Sequence, residues 1–335
     1  MTVRLTVRRQ PWLAHVHATA AAYGDGLVPV VKGNGYGVGR PTLHEVIASL
    51  PAADATRSIV AIGSVHELHD VPPSVLPVVL TPTLAAPLDT SPILTVGSLE
   101  HVAALRGWSG RVMVKLASSM RRYGVVPADL PALLHAVDAA GLAVAGYALH
   151  LPLAGTDAKR VKEIRAWAQH LTAQHLTAQG NTTQAPLWVS HLAPARFRAV
   201  RDEHPALDVH IRVGTALWHG VPRCEFLRLT ADVLHTQRVH AGDVAGYHAS
   251  VVPFDGTLVA VGAGTCSGVA PLDGNDPQRQ SPFHFARTRL EMLERPHMHT
   301  TMLVVPDGHP CPALGDRVDV QRPLISTTVD EVEWQ

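Results

Sequence analysis

A net charge of either sign is missing from this chain of 335 residues. Its 28 Lys and Arg residues balance its 28 Asp and Glu residues, so the formal net charge is zero. No overall electrostatic field therefore attracts the chain to nucleic acid or to an anionic membrane. We expect its partners to be small molecules or other protein chains.

Cysteines and long apolar runs are also scarce. The three cysteines, Cys224, Cys266 and Cys311, are odd in number and scattered, which argues against a disulfide framework and favours a reducing compartment. The N-terminus lacks the apolar core of a signal peptide, and no uncharged stretch reaches the ~20 residues of a membrane span. We therefore expect a soluble, cytoplasmic protein. Its length predicts about two domains at ~150 residues each.

Short apolar runs alternate with stretches of helical periodicity up to about residue 220. Eight of these runs are typical of buried parallel strands, because most are nearly continuous in Val, Ile and Leu. Eight βα repeats in this length predict an α/β fold, a TIM (β/α)8 barrel. The predicted strands are Leu27–Val31, Ser58–Ile62, Val75–Leu80, Ile93–Val96, Val112–Leu116, Val144–Leu149, Leu187–Ser190 and Val209–Val213. The predicted helices are His44–Leu50, Leu99–Leu105, Leu130–Ala140 and Ala158–Ala178.

Residues after Gly220 show β-rich runs between Gly and Pro turns instead of helical periods. The pair Asp255-Gly256, between two short apolar runs, predicts a hairpin that joins Val251-Val252 to Leu258-Val259. We therefore expect a barrel domain over residues 1–222 and an all-β domain over residues 223–335. Further predicted strands of the second domain are Leu227–His235, Thr257–Val261, Thr300–Val305 and Arg317–Val320.

A lysine stands at the C-terminal end of the first predicted barrel strand. Lys32 precedes a glycine-rich turn that extends to Gly39, at the end of the barrel where active sites are built. A lysine there can pair with a carboxylate, bind a phosphate or serve as a low-pKa amine for a Schiff base. From the residue types alone, an ordinary tight turn is an equal alternative.

Five motifs, in order along the chain, resemble those of the alanine racemase family. The first is similar to the turn that attaches pyridoxal phosphate, and the second to the strand and turn that carry an often carbamylated lysine. The third resembles the run that ends the barrel, the fourth the turn with a second catalytic residue, and the fifth a late Arg and Met run. These motifs are Val31–Gly39, Val112–Gly124, Ile211–Gly220, Gly242–His248 and Arg295–His299.

This resemblance implies a cofactor, a reaction and an assembly. The cofactor would be pyridoxal 5'-phosphate, the reaction amino-acid racemisation, and the assembly a homodimer with shared active sites. Racemisation needs an acid/base group on each face of Cα. The resemblance assigns Lys32, which carries the cofactor, to one face, and Tyr247, contributed by the partner subunit, to the other.

Supporting residues follow from the same resemblance. A fixed cation at Arg212 would keep the cofactor's pyridine nitrogen unprotonated and so weaken the ring as an electron sink. A histidine at position 150 would orient the site, although an ordinary bond to a carbonyl is an open alternative. The resemblance implies cofactor contacts from Tyr36, His150, Arg212, Gly214 and Thr215, substrate contacts from Arg122 and Met298, and support of Arg122 by Lys115.

Several positions depart from the family pattern. Thr265 replaces a tyrosine, His299 replaces an aspartate, and Ser190–Pro194 replaces the usual phosphate turn. Because these positions belong to the entrance and the phosphate site, alanine is less secure as the substrate than racemisation is as the reaction. Two alternatives stay open: an aldolase or decarboxylase of the same fold, and a non-catalytic homologue that binds the cofactor. The pair His297 and His299, together with His219, permits a zinc site, but a third ligand with convincing spacing is missing.

Overall fold

The structure is a computed structural model that describes residues 3–50, 58–177, 185–220, 225–272 and 281–335. The chain divides into two compact units. The β unit comprises residues 1–14, 34–39 and 221–335, and the barrel unit comprises residues 15–33 and 40–220. The expected domain boundary after residue 222 and Cys224 both lie outside the described residues. No helix in the described ranges is long and apolar enough to cross a membrane.

The helices and strands are numbered in chain order. The first part of the chain contains β1 (Val3–Val7), α1 (Arg9–Tyr23), β2 (Leu27–Pro29), α2 (Arg40–Ser49), β3 (Ser58–Ile62), β4 (Val75–Val79), β5 (Ile93–Val96), α3 (Leu99–Ala104), β6 (Arg111–Leu116), α4 (Leu130–Ala139), β7 (Ala143–Leu149), α5 (Asp157–Thr177), β8 (Leu187–Ser190), α6 (Pro194–Glu203), β9 (Val209–Val213) and α7 (Thr215–Trp218). The second part contains β10 (Leu227–Val239), β11 (Val244–Ala245), β12 (Ser250–Val251), β13 (Gly256–Val261), β14 (Phe283–Phe285), β15 (Thr288–Arg289), β16 (Glu291–Met292), β17 (Thr301–Pro306), β18 (Arg317–Val320) and β19 (Glu331–Trp334).

The barrel unit confirms the predicted TIM barrel. Its eight strands are all paired in parallel, in the order β2-β9-β8-β7-β6-β5-β4-β3. A parallel bridge between Val30 and Ala61 joins the two ends of this order and closes the sheet. Inward side chains such as Val78, Met113 and Trp188 fill the interior, so the barrel has a packed core.

The four predicted helices are confirmed as α2 to α5, and the end of the last one, Ala178, lies outside the described residues. Three further helices, α1, α6 and α7, are not among the predicted ones. In α1 the many Ala and His residues blur the apolar stripe that marks an amphipathic helix. Helix α7 has only 4 residues, too few to show a helical period.

The β unit is built around the 13-residue strand β10. This strand pairs antiparallel with β1, β13 and β18, and β1 also pairs in parallel with β19. The core between the strands contains the buried side chains of Val233, Phe283 and Leu303. Strand β1 was not predicted, because its pairing partners lie more than two hundred residues later in the chain.

The hairpin predicted at Asp255-Gly256 is wrong. Strand β12 pairs with β11, whereas β13 pairs with β10 and β17. Gly256 starts β13, and a Cβ at that position would lie 2.1 Å from the carbonyl oxygen of Val305. The glycine is therefore needed for the close approach of two strands, and the sequence signal was a false indication of a tight turn.

Candidate active site

Lys32 lies just beyond the C-terminal end of β2. The N–H of Val31, the preceding residue, donates a hydrogen bond to the carbonyl of Ala61 (2.8 Å), which continues the barrel pairing up to the lysine. Gly33 follows with a φ of 61°, a conformation that favours glycine and turns the chain. The lysine therefore lies at the C-terminal rim of the barrel, as predicted, where barrel enzymes place their catalytic groups.

Glu67 is a residue of the rim that the sequence pattern does not predict. Its carboxylate accepts hydrogen bonds from the N–H groups of Gly33 (3.0 Å) and Gly63 (2.7 Å). A Cβ at position 63 would lie 3.2 Å from the Cβ of Lys32, so glycine allows the two segments to approach closely. Within the described residues, no carboxylate forms an ion pair with Lys32. The alternative in which the lysine only serves to neutralise an acid thus loses its support.

The amine of Lys32 is shifted toward its neutral form. Although the side chain is exposed at the rim, surrounding protein atoms and the charge of Arg122 lower the pKa of the amine. The charge of Glu67 opposes this effect, and that of Arg212 adds to it. A lowered pKa increases the fraction of unprotonated amine at neutral pH, which is the form that attacks a carbonyl or accepts a proton.

Lys115 lies on β6 and is 4% exposed. Its Nζ has no hydrogen-bond partner among the described residues. Burial, together with the charges of Arg212 and Arg122, lowers its pKa from 10.5 to about 6. An unpaired buried amine is unfavourable unless it is neutral or gains a negatively charged partner.

Arg212 projects from β9 and is 8% exposed. Its guanidinium donates to the carbonyl of Leu149 at the end of β7 (2.8 Å) and to that of Val189 on β8 (3.4 Å). Burial lowers its pKa to about 10, with a raising contribution from Tyr123 and a lowering one from Arg122. The side chain therefore stays charged at neutral pH, and two neighbouring strands fix its position.

Two neutral imidazoles lie beside this arginine. The rings of His150 and His191 meet edge to face, with centroids 4.9 Å apart. Burial and nearby cations, chiefly Arg212, lower the pKa of His150 to about 2 and that of His191 to about 4. The sequence signals His191 only through the altered turn, Ser190–Pro194, in which it lies.

The loop that carries Arg122 is attached to the end of β6. Ala117 N–H donates to the Val125 carbonyl (2.8 Å), and Val125 N–H donates to the Lys115 carbonyl (2.9 Å). Gly124 allows this return, because a Cβ there would lie 2.6 Å from the backbone of the strand. The loop thus brings Arg122 into the electrostatic environment of Lys32 and Lys115.

Gly214 and Thr215 lie where β9 passes into α7. Gly214 is the N-cap of this short helix, so the first N–H groups have no partner within the helix. The indole of Trp218, at the other end of α7, donates to the carbonyl of Val30 (2.7 Å). Gly214 and Thr215 therefore lie at the same rim of the barrel as Lys32.

The remaining predicted site residues belong to the β unit. Tyr36 is buried and has a φ of 56°, Tyr247 is 83% exposed, and Met298 is 62% exposed. Within the described residues, no group of three or more His, Cys, Asp or Glu side chains could hold a metal ion. The His297 imidazole, considered for zinc, hydrogen-bonds to the carboxylate of Glu294 instead.

The barrel rim gathers positive charge with little to neutralise it. We call Lys32, Lys115, Arg122 and Arg212 the cation cluster. Among the described residues, the carboxylate of Glu67 contributes to the pKa of Lys32, but its oxygens already accept backbone N–H groups, and no carboxylate appears among the causes of the shifts at Lys115 and Arg212. Such a cluster, with a nucleophilic amine and a buried amine that has no partner, suits an anionic ligand with a reactive aldehyde. The residues present therefore fit pyridoxal phosphate.

Comparisons with known proteins agree with this chemistry. A family model described as alanine racemase, N-terminal domain, matches residues 13–222. The alanine racemase of Clostridium difficile 630 is 15% identical, with a TM-score of 0.74 over 100% of this chain and 96% of that chain. The alanine racemase from Bartonella henselae, solved with covalently bound pyridoxal phosphate, is 16% identical, with a TM-score of 0.71 and 100% coverage of both chains.

A third solved structure is the alanine racemase from Bacillus anthracis with bound L-Ala-P. It is 19% identical and has a TM-score of 0.73 over 95% of this chain and 85% of that chain. At these identities the likeness shows a shared fold. No curated protein matches the sequence.

Proposed function

We propose, since the chain belongs to the alanine racemase family, that it is a pyridoxal-phosphate-dependent amino-acid racemase. The observation that carries this proposal is the cation cluster, in which the pKa of Lys32 is lowered at the barrel rim. The lowered pKa increases the fraction of this amine that is unprotonated. This is the state required of a lysine that binds an aldehyde and later takes a proton from Cα.

The residues that would hold the cofactor, apart from Tyr36, belong to the barrel unit. We assign its covalent attachment to Lys32, its phosphate to the backbone N–H groups of Gly214 and Thr215, and its pyridine nitrogen to Arg212. Tyr36 and His150 would complete its surroundings. Bound pyridoxal phosphate supplies an electron sink for negative charge at Cα. The fixed charge of Arg212 would limit that sink and so favour proton exchange over other reactions.

Proton transfer would use two side chains of this protein. We assign Nζ of Lys32 to one face of Cα and Oη of Tyr247 of the partner subunit to the other. The exposure of Tyr247 supports a role at a subunit surface, as does that of Val244 (61%) and Val251 (64%), which pair across the same hairpin. Exposed apolar side chains gathered in this way are typical of a protein interface. We therefore propose a homodimer with shared active sites.

Arg122 and Met298 would bind the substrate carboxylate, through a guanidinium and a backbone N–H respectively. Lys115 would position Arg122 after carbamylation. In that step the neutral Nζ attacks carbon dioxide, a C–N bond forms and one proton is released, which leaves a carbamate anion. The pKa of about 6 keeps this amine neutral at physiological pH, as the step requires. The carbamate would replace the unpaired amine with an anion, which could then hold the guanidinium of Arg122.

The substrate class is an α-amino acid, and its side chain is left open. Two positions that depart from the family pattern, Thr265 and His299, are both exposed in the β unit. Their side chains differ in size and charge from the tyrosine and aspartate that the family pattern carries. We therefore propose testing a panel of amino acids and not alanine alone.

Cofactor attachment is tested first. The purified protein should show the visible absorbance of lysine-bound pyridoxal phosphate, and borohydride should remove that band and label the peptide containing Lys32. Lys32→Ala should abolish the band, whereas the exposed control Lys162→Ala should retain it. Covalent cofactor in the Lys32→Ala protein would overturn the assignment.

Reaction type is tested by deuterium exchange at Cα with L- and D-amino acids. A racemase exchanges both enantiomers of its substrate and interconverts them. Release of carbon dioxide would indicate a decarboxylase, and release of an aldehyde would indicate an aldolase. Cofactor binding without exchange of any amino acid would instead support a non-catalytic homologue.

A further inference from the structure

Tyr247 lies at the tip of a small hairpin formed by β11 and β12. Each strand has 2 residues, and they form a two-stranded sheet of their own. Two-stranded hairpins of this kind are at best marginally stable in water. A side chain at the tip can therefore hold a defined position only if another part of the protein anchors the turn.

The carboxylate of Glu294 provides that anchor. It accepts hydrogen bonds from the N–H of Tyr247 (2.8 Å), the hydroxyl of Ser250 (3.0 Å) and the N–H of His248 (3.2 Å). The ring Nε2 of His297 also bonds to it. The side chain of Glu294 is 4% exposed. Four donors thus converge on one buried carboxylate.

These donors decide the ionisation of Glu294. Burial alone raises the pKa of the carboxyl, but the hydrogen bonds from His297, Tyr247, His248 and Ser250 outweigh it and bring the pKa down to about 2. The group is therefore an anion throughout the physiological pH range, and it can accept all four hydrogen bonds.

Gly246 shows how closely the turn surrounds this carboxylate. Its φ is 82°, and a Cβ at this position would lie 2.3 Å from the carboxyl carbon of Glu294. Any other residue would push the turn away from the carboxylate, in addition to the strain of the left-handed conformation. The backbone just before Tyr247 is therefore shaped to the glutamate.

His297 fixes the tyrosine ring itself. The two rings stack with centroids 4.1 Å apart and an interplanar angle of 28°. The histidine backbone is rigidly placed, because its N–H donates to the Thr300 carbonyl (2.8 Å) and its carbonyl accepts from Thr265 N–H (2.8 Å). The glutamate thus orients the backbone of Tyr247, and the histidine orients its ring.

We infer that Glu294 and His297 are positioning residues that present the Tyr247 hydroxyl for proton transfer at Cα. We call them, with Gly246, Tyr247 and Ser250, the Glu294 cluster. This inference rests on the proposed function, because it assumes that Tyr247 is the second acid/base group. Neither Glu294 nor His297 needs to touch the substrate, since both act through the tyrosine.

The test is Glu294→Gln, which keeps the size of the side chain but replaces one acceptor oxygen with an NH2 group that opposes its donors. Deuterium exchange is measured with the enantiomer that Tyr247→Phe fails to exchange and with its mirror image. We expect exchange on the Tyr247 face to fall by at least ~10-fold and exchange on the Lys32 face to change by less than ~2-fold. The visible absorbance of the bound cofactor should not change. The control Glu291→Gln, on strand β16, should behave as wild type.

A double variant separates positioning from a general structural role. When Glu294→Gln is added to Tyr247→Phe, the rate of deuterium exchange should not fall further, because both substitutions would impair the same proton-transfer step. Two outcomes would overturn the inference and leave the racemase proposal intact. In one, the fold-losses of the two single variants multiply in the double variant; in the other, Glu294→Gln slows exchange equally on both faces of Cα. If the wild-type protein exchanges no amino acid, the proposed function fails and the inference fails with it.

A milder variant covers the case in which Glu294→Gln does not fold. Ser250→Ala removes one of the four hydrogen bonds and leaves the carboxylate in place. We expect a ~2- to 5-fold loss of exchange confined to the Tyr247 face, the scale of one hydrogen bond. Exchange equal to wild type on both faces, in a folded Ser250→Ala protein, would contradict the inference.

Discussion

Burial decides the charge state of individual residues at the barrel rim. Lys115, His150 and His191 all shift toward their neutral forms, because the protein removes water that would solvate a charge. Arg212 keeps its charge because its ordinary pKa is so high that a shift to about 10 still leaves it protonated. The rim therefore combines the charged guanidinium of Arg212 with nitrogen bases that are held in their neutral forms.

The shifted pKa of Lys115 predicts a pH-dependent stability. The folded protein holds this amine at a pKa of about 6, while the unfolded chain has the ordinary value near 10.5, so the unfolded state binds more protons between these values. Stability should therefore rise with pH across this window, and be lost as pH falls toward 6. From pH 7 to pH 9 the gain should be about 2 to 3 kcal/mol.

Urea denaturation in buffer free of carbon dioxide measures this effect, because the amine is then unmodified. Lys115→Met keeps the length of the side chain and lacks the amine. Between pH 7 and pH 9 its free energy of unfolding should rise by about 2 to 3 kcal/mol less than that of wild type. At pH 7 the variant should be more stable than wild type. Parallel stability curves for the two proteins from pH 7 to pH 9 would contradict the shifted pKa.

At the scale of secondary structure elements, single side-chain contacts connect the strand ends that carry the site. Helix α7 is the clearest case, because the indole of its Trp218 donates to the carbonyl of Val30, two residues before Lys32. The indole is fully buried, so the carbonyl would have no water to replace this donor. The helix therefore fixes the exit of β2, from which the lysine projects.

This contact predicts the effect of Trp218→Phe. Loss of the buried hydrogen bond should lower the free energy of unfolding by about 1 to 3 kcal/mol and loosen the segment that carries Lys32. Cofactor release, followed by visible absorbance during dialysis, should become faster. Trp108→Phe is the matched control, because its indole donates to the carbonyl of Asp89 (3.1 Å), away from the lysine segment. Equal release rates in the two variants would contradict the role of α7.

At the scale of the whole molecule, the proposal requires two chains for one site. We propose that Lys32 of one subunit works with Tyr247 of the partner subunit, in an isologous dimer with two equivalent sites. In such a dimer the partner subunit would cover Tyr247, Val244 and Val251, which are exposed in the isolated chain.

Mixing inactive chains tests this arrangement. Lys32→Ala and Tyr247→Phe proteins are co-expressed with different affinity tags, and the mixed dimer is isolated. One of its two sites then has both native residues, so racemisation should recover to about half of the wild-type rate per dimer. A mixed dimer as inactive as its parents would show that both residues act within one chain, and the shared-site proposal would fail.

The barrel and the place of Lys32 at its rim could be predicted because their signals are local. Each buried strand is a short apolar run, and Lys32 follows one of them directly, so its place at the rim depends only on its neighbours in sequence. Sequence could not place Glu67, since its partners Gly33 and Gly63 are ordinary loop glycines until the chain folds. A tyrosine at position 247 was identified by its motif, but nothing in that motif indicates Glu294.

The sequence by itself determined the α/β class, the eight parallel strands and the position of Lys32 at a strand end, because hydrophobic period and strand ends are properties of neighbouring residues. Only the tertiary structure decided which charges are neutralised and which segments approach closely. Val3 pairs with Ala231, and the Tyr247 hairpin meets Glu294, through contacts between residues far apart in the chain. Desolvation and hydrogen-bond convergence arise from such contacts, so the chemical state of the site is a property of the folded molecule.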